Sequence, residues 1–140
     1  FYRSRFAEEY FNCKAQERGL RWHAESRGTA LGVHSTPRTL SPVAGEYLKK
    51  HGITPQGAQR APRRLSTNDV PTFAMVVAIN GPEHEAVLRK NYGVPGDKLR
   101  VWDIRDVTES PPEKELPRLA DRLDALILEL SAPTNGLPRP

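Results

Sequence analysis

Apolar residues recur at helical spacing from the start of the chain. Phe6 and Tyr10 are four apart, Ala7 and Phe11 likewise, and Cys13 lies seven beyond Phe6. This pattern predicts a helix over 3–20, with Glu8, Glu9, Lys14, Glu17 and Arg18 facing water and Gly19 near its end. Leu20, Trp22, Ala24 and Ser26 then alternate with polar residues, as in a short strand, until Gly28 and Gly32 interrupt. A loop is expected over 35–40. Ser41 followed by Pro42 is a helix start, with a hydroxyl cap and a proline in the first turn; Val43, Tyr47 and Leu48 give that helix an apolar face and Gly52 ends it. Residues 54–64 read as loop. Ser66 with Asp69 makes a capping arrangement that Pro71 limits to one short turn.

The run Phe73 to Ile79 is the clearest strand, apolar on both faces, as in a parallel sheet covered by helices on each side. Glu83 to Lys90 reads as a helix ended by Asn91-Tyr92-Gly93, and Leu99 to Trp102 as a strand. From Pro117, Leu119, Leu123, Leu126, Ile127 and Leu130 mark an amphipathic helix. Helices and strands alternate, so the expected fold is α/β: three α/β/α layers around a short parallel sheet. The order opens with a helix that no strand precedes, which predicts that a first central strand is missing from this chain. One domain is expected over 1–131, with a disordered tail over 132–140. There is no internal repeat.

Composition narrows the function classes. Hydrophobic residues make up 37% and charged residues 27%, ordinary for a folded globular domain. The longest apolar run, Phe73 to Ile79, is far too short to span a membrane. The single cysteine, Cys13, rules out an intramolecular disulfide and a thiolate-rich metal site, and suits a reducing cytoplasm. Net charge is +4 and uneven: residues 1–66 hold 12 Lys or Arg against 5 Asp or Glu, residues 67–140 hold 9 against 12. A basic N-terminal half can attract an anionic ligand, although a solvated basic surface is the blander account. The Arg residues are scattered without an aromatic-and-basic pattern, so no nucleic-acid partner is expected. His23, His34, His51 and His84 lack metal-ligand spacing, and no metal or other cofactor is expected.

Arg3 and Ser4 fall where the first helix begins. A helix N-terminus offers unpaired N–H groups and partial positive charge to an anion, and an Arg there adds a planar fork for two phosphate oxygens. Taken alone, such a pair is most often surface decoration. Its surroundings point further. Phe1-Tyr-Arg-Ser-Arg-Phe-Ala-Glu8 resembles the end of the phosphate loop of low-molecular-weight protein tyrosine phosphatases, whose signature runs Cys-x-Gly-Asn-x-x-Arg-Ser into a helix rich in Ala and Glu. Phe1 and Tyr2 match the two variable positions, Arg3 the phosphate-binding Arg and Ser4 the supporting Ser. The resemblance continues through Ser26-Arg-Gly-Thr29, Leu40-Ser-Pro42, Leu48 to Ile53, Arg64-Leu65 with Asp69, and Val101-Trp-Asp-Ile-Arg-Asp106, the segment that delivers the family's general acid.

The resemblance implies a phosphomonoester hydrolase acting through a phosphocysteine, with a phosphoprotein or a small aryl phosphate as substrate and no metal. Arg3 would hold the phosphoryl oxygens, and Asp106 would protonate the leaving group and then activate water. The Cys, Gly and Asn would stand just ahead of Phe1, with Cys four positions before it, so the 140-residue chain is expected to be inactive. Cys13 reads as a buried, inert thiol on the Phe6 face of the helix, and Asp103 is a competing acid candidate. The sequence departs from the pattern at Val107, where the family has Pro, and at Thr108 and Glu109, where aromatic residues often stand. These changes leave a non-catalytic phosphate- or protein-binding module as the alternative. Arsenate reductases share the expected fold but need further redox cysteines, which this chain lacks.

Overall fold

The computed structural model describes residues 2–28, 42–55, 63–79, 81–105 and 110–131. Thr29, Gly32, His34, the 35–40 loop, the Ser41 cap, the middle of the 54–64 loop, Val107, Thr108, Glu109 and the tail from 132 lie outside the described residues.

Helix α1 (Tyr2–Glu17) takes the predicted place. It ends where Gly19 adopts φ +69 and the Leu20 N–H bonds the Ala15 carbonyl at 2.9 Å, an arrangement that uses glycine's freedom at positive φ. Helix α2 (Pro42–Lys50) starts at the predicted proline, and Gly52 at φ +75 closes it in the same way. Val70–Thr72 forms the single short turn expected before β1, with the Asp69 carboxylate accepting from the Ser66 N–H at 3.0 Å. Then follow β1 (Val76–Ala78), α3 (Gly81–Asn91), β2 (Leu99–Val101) and α4 (Pro112–Ser131). The two strands are parallel, with Val76 opposite Leu99 and Ala78 opposite Val101.

Alternation along β1 and β2 sorts side chains to two faces. Met75, Val77, Ile79, Trp102 and Ile104 join α1, α2 and α4 in one cluster, around Phe6, Leu48, Leu116 and Leu119. Val76, Ala78 and Leu99 meet Leu65, Val70, Leu88 and Val94 on the other face, where α3 lies. This is the α/β arrangement of helices on both faces of a short parallel sheet. Tyr10 also ties α1 to α4, its hydroxyl donating to Asp124 Oδ1 at 2.8 Å.

Four expectations are corrected. The 20–26 segment belongs to no strand; its nearest ladder contact is an isolated bridge between Gly28 and Arg64. Its polar groups are met by side chains of α1. Ala24 N donates to Asn12 Oδ1 at 2.7 Å, Asn12 Nδ2 donates to Ala24 O at 3.0 Å, and Ser26 N donates to Glu8 Oε1 at 2.7 Å. Trp22, one of the residues that alternate with polar ones in that segment, is 38% exposed rather than packed as in a strand, whereas Trp102 is buried. Glu8 and Glu9 are buried rather than water-facing; the 24–26 segment lies over Glu8. Helix α4 begins at Pro112, ahead of the predicted start, and accommodates Pro117 inside it.

Candidate active site

The site is built at the N-terminus of α1. Arg3 lies in its first turn and is 8% exposed, and Ser4 beside it is half-buried. A guanidinium removed from water needs acceptors. Arg3 Nη1 donates to the Ile104 carbonyl at 2.6 Å. Ile104 reaches this place because the chain continues past β2 still paired with the segment after β1: Trp102 N donates to Ala78 O at 2.7 Å, and Ile104 N to Ile79 O at 2.9 Å. Topology thus carries residues a hundred positions away to the start of the first helix.

Beyond Ile104 the backbone is held by Glu115, whose side chain is 1% exposed. Its Oε1 accepts from Arg105 N at 2.7 Å and from Arg118 Nη1 at 2.8 Å, and its Oε2 accepts from Ser110 Oγ at 3.1 Å. Burial works against its charge, but the Arg105 N–H, the Arg118 guanidinium and the Ser110 hydroxyl outweigh it, and the carboxyl is held below the usual carboxylate range. Sequence reasoning missed Glu115. The signal was its position four before Leu119, on the apolar face of α4, where a carboxylate is out of place.

Of the residues singled out from the sequence, Arg3 and Ser4 come together at the helix start, and Tyr2 opens that helix. Phe1 and Asp106 lie outside the described residues; the described backbone reaches Arg105, one position before Asp106. Asp103, the competing acid, is exposed, and its carboxylate faces the start of α3: Oδ1 lies 3.4 Å from where a Cβ on Gly81 would stand, and Gly81 has φ +58. Arg27, where the family motif has Ala, ion-pairs with Glu25 at 2.7 Å and lies over the Phe73 ring, stitching 25–27 to the segment before β1.

Cys13 is half-buried rather than buried, and packs against the larger cluster. Burial first, then the Glu17 carboxylate 3.7 Å from its sulfur, push its thiol above the ordinary value, so it stays protonated at neutral pH. It lies ten residues along α1 from Arg3 and is no candidate nucleophile for that site. A shallow groove of about 390 Å³ between α1 and α4, walled by Tyr10, Lys14, Asp124 and Leu128, is likewise remote from Arg3 along α1. Among the described residues no three of His, Cys, Asp and Glu group as metal ligands, and no helix is long and apolar enough to cross a membrane.

Comparison with known proteins bears on the family and the fold. The low molecular weight phosphotyrosine protein phosphatase model matches residues 1–117. Among solved structures, the low molecular weight protein tyrosine phosphatase from T. tengcongensis is 28% identical, with a TM-score of 0.72 over 91% of this chain and 88% of that one. The corresponding enzyme from Streptococcus pyogenes shares the fold at 15% identity, with a TM-score of 0.74 over 95% of this chain and 87% of that one. A YwlE mutant from Bacillus subtilis does so at 21%, with a TM-score of 0.74 over 93% and 91%. No curated protein sequence matches. With the family model matching residues 1–117, the chain belongs to the low molecular weight phosphotyrosine protein phosphatase family, whose function and fold are phosphatase-like.

Proposed function

We propose that this chain is the body of a cytoplasmic phosphomonoester hydrolase, its domain spanning 1–131, that works on phosphoproteins or small aryl phosphates. Phe1 and Tyr2 are the variable positions of its phosphate loop, Arg3 binds the phosphoryl oxygens, Ser4 supports the loop and Asp106 is the acid. The observation that carries this reading is the 2.6 Å bond from Arg3 to the Ile104 carbonyl. It sets the cation that would hold phosphate against the backbone two residues before the carboxylic acid that would serve the leaving group.

The chemistry follows from these roles. A cysteine thiolate ahead of Phe1 attacks phosphorus, the S–P bond forms, and the bond from phosphorus to the leaving oxygen breaks. Asp106 gives that oxygen its proton. The resulting carboxylate then takes a proton from water, which attacks phosphorus and releases inorganic phosphate and the thiolate. Arg3 and the helix N–H groups stabilise charge on the phosphoryl oxygens throughout.

The test uses the chain with Cys-x-Gly-Asn placed directly ahead of Phe1, alongside the 140 residues alone. The extended form is expected to hydrolyse p-nitrophenyl phosphate, and the 140-residue form to show no thiol-dependent turnover. Arg3→Ala should lower kcat/KM by about 10²–10³-fold. Asp106→Ala should lower it by about 10²-fold or more on phenyl phosphate, whose leaving group needs the proton. Phosphate binding without turnover in the extended form would favour the non-catalytic module, and full activity of Asp106→Ala on phenyl phosphate would remove Asp106 from the acid role.

A further inference from the structure

We infer that Glu115 is a positioning residue for the acid step: its buried carboxylate holds the Ile104–Arg105 peptide, the unit one position ahead of Asp106 in the sequence, against Arg3. The inference rests on the assignment of Asp106 as the acid.

The Ile104 carbonyl and the Arg105 N–H belong to the same peptide bond. Arg3 grips its oxygen at 2.6 Å and Glu115 grips its N–H at 2.7 Å. In a trans peptide these two groups point to opposite sides, so the plane is held between a cation and an anion. Each charge polarises the peptide in the sense that strengthens the other bond. This clamp fixes the Ile104–Arg105 peptide relative to Arg3.

The other oxygen of Glu115 accepts from Ser110 Oγ at 3.1 Å. The one carboxylate thus meets both Arg105 and Ser110. Arg118, one turn on, completes the set: its Nη1 donates to Glu115 at 2.8 Å and its Nη2 to the Asp103 carbonyl at 3.3 Å.

A purely structural account fits poorly. Glu115 stands on the apolar face of α4 among Leu116, Leu119 and Ala120, all buried. Burying an ion costs free energy that an apolar side chain would not. A local rule broken in this way, next to the site, is the mark of a functional constraint.

The experiment compares leaving groups in the form carrying Cys-x-Gly-Asn ahead of Phe1. Mispositioning the acid hurts phenyl phosphate, which must be protonated on departure, and spares 2,4-dinitrophenyl phosphate, which need not be. Glu115→Ala is expected to lower kcat/KM at least about tenfold more on phenyl phosphate than on the dinitro ester, and Ser110→Ala about threefold more. Glu115→Gln keeps one acceptor for the Arg105 N–H and can donate to Ser110, so it should recover most of the loss. Equal losses on both esters in Glu115→Ala and Ser110→Ala, with Asp106→Ala still discriminating, would overturn the inference and leave the acid assignment standing. If Asp106→Ala itself does not discriminate, the acid assignment has failed instead. In the 140-residue chain, amide exchange of Arg105 should quicken more than about tenfold in Glu115→Ala with β1 amides unchanged. Unchanged Arg105 exchange in a folded variant would refute the clamp directly.

Discussion

Asn12 does with one side chain what a strand neighbour does with its backbone. It donates to Ala24 O and accepts from Ala24 N, and Glu8, one turn earlier on α1, takes the Ser26 N–H and hydroxyl. Replacing Asn12 with Ala leaves two partly buried backbone groups without these partners, at a cost of about 1–3 kcal/mol. Urea unfolding should show a lower midpoint with an unchanged slope, and an unaltered midpoint would mean that water replaces the amide without loss. Glu115 makes a second prediction at this scale. Its folded pKa is depressed below the unfolded value of about 4.3. The stability it contributes is therefore complete above that value and is lost as pH falls through the folded pKa. The groups facing it are Arg118 on its own helix, and Arg105 N–H and Ser110 on the preceding segment. Stability should fall as pH is lowered from 5 toward 3, and Glu115→Gln should flatten that fall. Glu129 is also depressed, by Arg100, but that pair is exposed and screened, and the Gln variant leaves it intact. A variant as acid-sensitive as the parent would assign the acid limb to other carboxylates.

At the scale of elements, periodicity identified α1, α2 and α4, because each has apolar residues at the spacing a helix buries, and the unbroken apolar run Phe73 to Ile79 marked β1. The 20–26 segment shows where such reading stops. Alternation there places Leu20 and Ala24 inward against exposed Arg21 and His23, but it misplaces Trp22 and does not say what the backbone pairs with. The answer was on α1, in two side chains one turn apart. The start of α4 lies ahead of the apolar pattern that marks it from Pro117; Pro112 opens the helix, where its missing N–H costs nothing. The site was half visible. Arg3 and Ser4 carry a motif that can be read from residue order, and the helix start is where that motif requires it. Glu115 carries none. Nothing distinguishes it from Glu113 in a charged stretch except its phase on the helix, and its role depends on a peptide held by Arg3 from a hundred residues away.

For the whole molecule, the sheet is a partition rather than a centre. The larger cluster gathers α1, α2, α4 and one face of the strands, while α3 packs on the strands alone among the described elements. The last turns of α4 lie beyond the residues that match the family model, yet Leu119, Leu123, Leu126 and Ile127 are part of the larger cluster, so the packing of α1 and α2 depends on them. The partition makes two core truncations of similar chemistry behave differently. Leu119→Ala and Leu88→Ala both remove buried side chains, and each should cost about 2–5 kcal/mol locally. Leu119 touches the cluster that holds α1 to α4, so its loss should lower the urea midpoint of the whole molecule and quicken exchange in α1 and α4 together. Leu88 anchors only the α3 layer. Its loss should quicken exchange in α3 while the slow amides of α1 keep their rates, a sub-global opening rather than a shift of the global transition. Identical exchange profiles for the two variants would show that the two faces of the sheet unfold as one unit, because the strands then transmit every loss across the partition.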